Sequence, residues 1–413
     1  MDNKYFFPWC VQNKKKHHTL EEANNIFIEI DGCKCYDMSS QAINVNIGHN
    51  NKNIIQAIKN QCDKLTFVSS SFNNSIKDEA ANEILSVCPK TMRKVYFTSS
   101  GAEANENAIK ISRMYTSKTK ILSAYNSYHG STFGAGNLTG DARRFVCENT
   151  LGGFVKFEYP NKNKVLYNYS SESELSNIYL NNLENIIINE NPQDIAAIFI
   201  EPIIGGNGVI IPPKGYLKGI RKLCDKYNIL MVCDEVMTGW GRTGAWFCID
   251  HDSVLPDIIT TSKGITSSYI AFGAVIVNNK ISKYFDDNFF SCGSTNYGHL
   301  LGCAATVACI KEYKRKNLIE NSKKLGFELE EILKKMKEKY SFISDVRCKG
   351  LFGCIEFSDT VKVNELISDL ISSGFYTLGR VNFIMIAPPL IINEDELKSA
   401  MNILDNVLSN ICI

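Results

Sequence analysis

Between residues 94 and 278, short apolar runs alternate with stretches of helical periodicity, and this alternation restricts the fold more than any other feature. The strand candidates are 94–98, 121–124, 195–200, 229–233, 258–261 and 273–277, with helical stretches such as 102–115 and 215–227 between them. Strands separated by helices specify βαβ units and a mostly parallel sheet. The segment 161–191, rich in Asn, Ser, Tyr and Glu, reads as a surface excursion ending in one amphipathic helix. After His299 the pattern turns helical through 302–315 and the charged 321–339, then becomes an α+β tail with strands near 350–357 and 383–387. Residues 26–38 look like a hairpin around Asp31-Gly32, a strong turn dipeptide. A chain of 413 residues has room for two domains, or for one large α/β unit with a satellite. The expected division is an N-terminal segment, 1–50, joining a small domain, a large domain at 51–300, and a C-terminal part of the small α+β domain at 301–413.

Charge narrows the partners. Forty-five basic residues face 44 acidic ones, and no basic block or tail is present. The expected partner is therefore a small molecule, not nucleic acid or an anionic membrane surface. No apolar run of about 18 residues could span a bilayer, and Met1 to Gln12 do not spell a signal peptide, so a cytoplasmic location is expected. The 15 cysteines are scattered, with no paired Cys-x-x-Cys sites, and read as reduced apolar filler with no metal site.

Chemistry enters with Asp234 and Lys263. Asp234 ends the run Ile229-Leu-Met-Val-Cys-Asp, and Lys263 follows the run Ile258-Ile-Thr-Thr-Ser. In an open parallel sheet ligands collect beyond the carboxyl ends of the strands, so both side chains belong to one crevice. A lysine there can form a Schiff base with an aldehyde cofactor, and an aspartate there can pair with a protonated pyridine nitrogen. Taken singly, each residue is more often a helix cap or a solvated cation. A second constellation is Thr98-Ser-Ser-Gly-Ala-Glu-Ala-Asn-Glu, where a strand runs into small residues opening an Ala-rich helix. Free amides at such a helix start bind phosphate, although Ser100 with Glu103 also spells an ordinary capping box. Tyr128-His-Gly, shortly after a strand, offers an aromatic face to a flat ring, but most Tyr-His pairs are packing. Gly239-Trp-Gly-Arg-Thr-Gly spells G-x-G-x-x-G, yet no amphipathic helix follows and Pro256 interrupts the stretch, so the dinucleotide reading fails.

Set together, these pieces resemble the class III aminotransferases, the ornithine, 4-aminobutyrate and ω-amino acid group of fold type I pyridoxal-phosphate enzymes. The resemblance covers nearly the whole chain. It rests on Ser100-Gly-Ala-Glu-Ala-Asn-Glu, Tyr128-His-Gly, Ile200-Glu-Pro, Asp234-Glu-Val-Met-Thr-Gly-Trp-Gly-Arg-Thr-Gly, Pro256-Asp-Ile-Ile, Ser262-Lys-Gly, Gly293-Ser-Thr-Asn-Tyr-Gly-His and Ala387-Pro-Pro-Leu. The separation from Asp234 to Lys263, 263 − 234 = 29, is the one this family usually shows. The resemblance implies an α/β fold type I transferase, a large domain with a mostly parallel sheet plus a small α+β domain from both termini. It implies pyridoxal 5′-phosphate as cofactor, Lys263 as Schiff-base lysine and proton carrier, and Asp234 on the pyridine nitrogen. Ser100, Gly101 and Ala102 would hold the phosphate, Tyr128 would stack on the ring with Val236 on its other face, and Glu201 would lie near the active centre. Thr295 would reach the phosphate of a neighbouring subunit, so a homodimer with shared sites is expected. His129 and Arg242 also match, with mainly structural roles.

Two departures point to substrate. Family members that fix an α-carboxylate with an arginine carry it three residues before Pro-Pro, where this chain has Met385, and its glutamate partner falls at Gly206. The joint absence resembles the ω-amino acid branch, which uses a mobile arginine on a loop ahead of that strand. Arg380 is the candidate, facing an apolar wall at Trp9. The openings Phe6-Phe-Pro-Trp-Cys-Val-Gln and Ser39-Ser-Gln-Ala-Ile-Asn-Val-Asn-Ile-Gly-His look like those of taurine and related aminotransferases, except that Gln41 replaces a common glycine and Leu300 a usual proline. Both changes are expected to reshape the pocket. The implied reaction moves an amino group from a taurine or β-alanine type donor to pyruvate or 2-oxoglutarate by a ping-pong cycle. Donors of 4-aminobutyrate, ornithine or diaminopelargonate type, a mutase or phospho-lyase, and a non-catalytic binding protein are the alternatives.

Overall fold

The computed structural model describes residues 4–13, 17–148, 151–162 and 167–411. The central sheet has seven strands in the order Met92–Thr98, Gly273–Asn278, Ile258–Thr261, Leu230–Asp234, Ile195–Ile200, Lys120–Ala124 and Phe154–Phe157. Gly273–Asn278 runs antiparallel to both neighbours, and every other adjacent pair is parallel. Alternate side chains of one strand go to opposite faces. Ile198, Ile200, Met231 and Cys233 pack with Leu217 and Ile220 of the helix Tyr216–Tyr227. Ala197, Phe199 and Val232 pack with Ala104, Ala108 and Ile111 of the helix Gly101–Thr116. With both faces covered, the inner strands are buried throughout, which is why they read as unbroken apolar runs.

Every expected run in this sheet is a strand, its ends shifted by two residues or fewer. The additional edge strand, Phe154–Phe157, hides behind Lys156, whose charge breaks the apolar pattern. The Lys156 amine is satisfied inside the fold by Ser123 Oγ at 2.8 Å and the Leu138 carbonyl at 3.1 Å. Burial, with Arg144 nearby, pulls its pKa down to about 7. The expected excursion contains the helix Glu172–Asn189, capped by Ser171. Residues 163–166 of that excursion lie outside the described residues.

The two ends of the chain share a sheet. Leu20–Asn24, Phe27–Ile30 and Cys33–Asp37 form an antiparallel meander, and Phe375–Tyr376 joins Cys33–Asp37 in parallel. Asp31 and Gly32 have φ of +49° and +83°, the positive pair that a two-residue hairpin turn requires. A further sheet has the order Ile343–Cys348, Gly353–Phe357, Phe383–Ile386 and Gly379–Arg380. The helices Leu318–Lys339, Val363–Ser372 and Glu394–Ser409 pack against these strands, whereas Leu300–Arg315 packs mainly against the helices Lys52–Lys64 and Ser75–Val87. Leu300 is the first residue of its helix and is buried, at the position where proline is well tolerated. It does not line the cavity of its own chain described below.

Arg242 ties these parts together. Fully buried, it donates to the carbonyls of Leu351 at 2.8 Å and Pro388 at 2.6 Å, to Ser40 Oγ at 3.1 Å and to Asn46 Oδ1 at 2.6 Å. Burial pulls its pKa down to about 10. The structural role expected for it matches these contacts. Next to it, Ser40, Gln41, Ala42 and Ile43 all have positive φ, of 48°, 48°, 63° and 59°. A glycine would adopt this left-handed turn without steric cost, and Gln41 does not.

Candidate active site

Asp234 closes an apolar strand and is 3% exposed, so its carboxylate must find donors within the protein. Oδ2 accepts from Asn105 Nδ2 at 2.8 Å and lies 2.7 Å from His129 Nδ1. Oδ1 accepts from the Val236 amide at 3.0 Å. Asn105 sits one turn past Gly101 on the same helix and is itself held, accepting from Thr260 Oγ1 at 2.8 Å and donating to the His129 carbonyl at 2.8 Å. His129 therefore positions Asp234, a more specific role than the structural one expected for it. The other ring nitrogen of His129, Nε2, is buried with no hydrogen-bond partner among the described residues.

Lys263 follows the strand Ile258–Thr261 with φ of +45°, an unusual backbone for a lysine and one that costs free energy. Burial pulls its pKa down to about 8, with Glu201 and Asp234 opposing the shift and Arg143 and Arg242 adding to it. Glu201 is buried too. Its carboxylate accepts from the Tyr128 amide at 2.7 Å and the Gly205 amide at 3.1 Å, so it fixes the backbone under Tyr128. Burial raises its pKa to about 7, with His129 opposing and Asp234 adding.

The helix Gly101–Thr116 points its first turn at the same place. Ser100 Oγ caps it by accepting from the Glu103 amide at 3.2 Å, while the Glu103 carboxylate accepts from the Ser99 amide at 2.8 Å. The capping box is thus closed through Ser99 and not Ser100. Gly101 is constrained by Val236, because a Cβ at that position would lie 2.9 Å from Val236 Cγ2.

One cavity of about 430 Å³ gathers most of the expected residues. Gly101, Ala102, Tyr128, Glu201, Asp234, Val236 and Lys263 line it, with Trp9 and Arg380 nearer its mouth. Ser100 is taken up as the cap, and Thr295 is exposed in the stretch ahead of the helix Leu300–Arg315, outside this cavity. Arg380 is not on a free loop, as expected, but in a short hairpin strand paired with Phe383–Ile386. Its Nη1 donates to the Gly206 carbonyl at 3.0 Å. Trp9, 63% exposed, meets the Tyr128 ring edge-on at 6.3 Å. Gly206 and Met385 both line the wall, so no charged side chain stands at either position. Sequence reasoning missed Asn105, whose helical spacing from Gly101 was available as a signal, and gave no role to Arg143, although the segment from Tyr128 to Arg144 that contains it looks like that of taurine and related aminotransferases.

Residues 11–408 match the family model for aminotransferase class III. The chain belongs to the class III aminotransferases. Over 390 residues it is 32% identical to a taurine–pyruvate aminotransferase of Bilophila wadsworthia, covering 91% of this chain and 85% of that protein. It is 34% identical over 401 residues to an ornithine aminotransferase of Oceanobacillus iheyensis, covering 95% and 94%. The solved structure of a taurine:2-oxoglutarate aminotransferase from Bifidobacterium kashiwanohense, in complex with PLP and glutamate, superposes with a TM-score of 0.95 at 38% identity, covering 98% and 96%. The fold is accordingly that of the fold type I transferases.

Aminotransferases of this class depend on pyridoxal 5′-phosphate, and the cavity suits it. The start of a 16-residue helix offers the amides of Gly101 and Ala102, which no described side chain caps. The space beside Val236 is one that a single Cβ at position 101 would close. The buried Asp234 supplies an acceptor for a protonated ring nitrogen. Since only a neutral amine attacks an aldehyde, covalent capture of the cofactor by the apo-protein should quicken as pH rises through about 8 and then level off. Stopped-flow absorbance against pH reads this directly. A rate still climbing towards 10.4, the ordinary value for lysine, would show an unshifted Lys263.

Proposed function

We propose that this aminotransferase moves an amino group from an ω-amino acid or amine, of taurine or β-alanine type, to pyruvate or 2-oxoglutarate in a ping-pong cycle. The observation that carries the donor class is the uncharged wall at Gly206 and Met385 beside a half-exposed Arg380 at the mouth. An α-carboxylate finds no buried cation at those two positions, whereas an acid at the far end of a short amine finds Arg380. The likeness to a taurine–pyruvate and a taurine:2-oxoglutarate aminotransferase supports the same reading.

When bound, the cofactor supplies a carbonyl carbon and an electron-withdrawing ring. In this reading Lys263 Nζ anchors it and then carries the proton between substrate carbon and cofactor carbon. Its pKa of about 8 keeps a sizeable neutral fraction near neutral pH. Asp234, oriented by Asn105 and His129, holds the proton on the ring nitrogen. The amides of Gly101 and Ala102, with Ser100, take the phosphate, and Tyr128 and Val236 bracket the ring. Trp9 forms the apolar wall at the entrance.

A guanidinium suits carboxylate and sulfonate alike, because its fork of donors engages two oxygens. Arg380→Ala should weaken acidic donors by about 1.5–3 kcal/mol in kcat/KM and leave neutral amines almost unchanged. An equal fall for both donors, or none, would place the anion site elsewhere.

The exposed Thr295 suits contact with a second copy of the chain, whose phosphate it would reach. Thr295→Ala alone should bind cofactor more weakly. A hybrid dimer of a Thr295→Ala chain with a Lys263→Ala chain should regain one tight, competent site, read by cofactor titration and turnover. Hybrids with no such site would rule out sharing between subunits.

A further inference from the structure

A short helix behind the cavity is held by side chains from other elements. Phe133–Leu138 has six residues, two of them glycine, and all but the first are buried. Helices shorter than about 12 residues are marginal on their own, and glycine weakens them further. Their first amides and last carbonyls also need partners from outside. Here both ends are served.

At the N-terminal end one oxygen of Glu106, Oε1, accepts from the Gly134 amide at 2.7 Å, the Ala135 amide at 3.0 Å and Thr132 Oγ1 at 2.5 Å. Glu106 follows Asn105 on the helix Gly101–Thr116. At the C-terminal end the Lys156 amine, from the edge strand, donates to the carbonyls of Asn137 and Leu138 and meets Ser123 Oγ at 2.8 Å. Burial brings the Lys156 pKa down to about 7, with Arg144 adding to the shift and Glu148 opposing it. The tie survives loss of that proton. A hydroxyl can donate as well as accept, so Ser123 can turn to the neutral amine while its two hydrogens stay on the two carbonyls.

What the helix touches gives the clamp its consequence. Thr139, next in the chain, accepts from the His129 amide at 3.0 Å through Oγ1, which lies 3.1 Å from the Gly130 carbonyl. The amides of Gly140 and Asp141 donate to the Ser127 carbonyl at 2.9 Å and 3.2 Å. Gly130 has φ of +136°, and a Cβ there would lie 2.6 Å from Ala102 Cβ and 2.9 Å from Ala135 Cβ. Ala135 of the helix is thus pressed against the Tyr128–Gly130 loop where that loop meets Ala102. The Tyr128 ring and the His129 contact with Asp234 are therefore registered on Phe133–Leu138, as well as on Glu201.

We propose that Lys156 and Glu106 are positioning residues for the reaction, clamping Phe133–Leu138 at both ends so that Tyr128 and His129 keep their places against the cofactor ring. Neither side chain lines the cavity, so both act through the loop and not on a reacting atom. The inference rests on the reading that Tyr128 and Asp234 hold that ring.

The test compares the holoenzymes Lys156→Met, Glu106→Met, Glu106→Gln and Asp234→Asn with the unaltered enzyme. Lys118→Met is the control, because Lys118 also donates to two carbonyls, those of Pro192 at 3.2 Å and Asn228 at 2.9 Å, ahead of the strand Lys120–Ala124. Three quantities are read: the melting temperature, the circular dichroism of the visible cofactor band, which follows the orientation of the ring, and the rate of the amine half-reaction at saturating amine. Lys156→Met and Glu106→Met should lose much of the visible dichroism and about ten- to a hundred-fold in that rate, the scale of a small misplacement at the reacting centre. Glu106→Gln should recover most of both, since its Oε1 can accept the same three bonds. Lys118→Met should lower the melting temperature and leave dichroism and rate unchanged. Wild-type dichroism and rate in Lys156→Met and Glu106→Met would overturn the proposal. So would equal losses in Lys118→Met, or a Glu106→Gln enzyme as impaired as Glu106→Met. If Lys156→Met does not fold, the Glu106 pair decides alone. An Asp234→Asn enzyme with unchanged dichroism and rate would refute the reading of where the ring sits, and the proposal with it. An impaired Asp234→Asn beside unimpaired Lys156→Met and Glu106→Met would overturn the proposal alone.

Discussion

A carboxylate at the end of a buried strand is the constraint around which this site is arranged. Asp234 cannot face the core without donors, since an unmet buried carboxylate costs several kcal/mol. The chain supplies Asn105 from one helix, His129 from the loop after another strand and the Val236 amide from its own turn. Satisfying Asp234 fixes the start of the helix Gly101–Thr116 against the strand ends, and that placement brings the Gly101 and Ala102 amides into the cavity. Glu201 does the same for Tyr128 by binding its backbone amide. Two buried carboxylates thus set a floor and a wall, and Lys263 is left as the amine between them.

That amine is tuned by opposing effects. Burial disfavours its charge, while Glu201 and Asp234 favour it, and burial wins, leaving its pKa at about 8. The local backbone carries strain at the same place, with Lys263 at φ of +45° and the left-handed turn Ser40–Ile43 contributing Ala42 and Ile43 to the wall. Such conformations persist only where the surroundings over-determine them. At the Ser40–Ile43 turn Arg242 is one of the side chains that do so, bonding Ser40 and Asn46 on one side and the carbonyls of Leu351 and Pro388 on the other.

Much of this was legible in the sequence because burial on both faces writes itself as unbroken apolar runs. Ile195–Ile200 and Ile258–Thr261 were readable to the residue for that reason. Phe154–Phe157 was not, because Lys156 is satisfied by carbonyls that only the fold assembles. Asp234 and Lys263 were legible because strand ends converge on one crevice. Arg143 stood in a segment whose likeness to taurine aminotransferases was legible, but its contacts with Tyr128, Asp141 and Gly206 were not, since the fold brings them together from separate loops. The Arg380 hairpin was missed because a two-residue strand leaves no periodicity to read.

The account stands or falls on Lys263 as the residue that holds the cofactor and moves the proton. Borohydride treatment of the purified enzyme, followed by peptide mass spectrometry, should place the reduced cofactor's mass on Lys263 and abolish the visible band. Lys263→Ala should carry no such adduct and should lose about 10²–10⁴-fold or more in turnover, the usual contribution of a positioned acid–base group. An adduct on another lysine, or a Lys263→Ala enzyme with normal turnover, would contradict it.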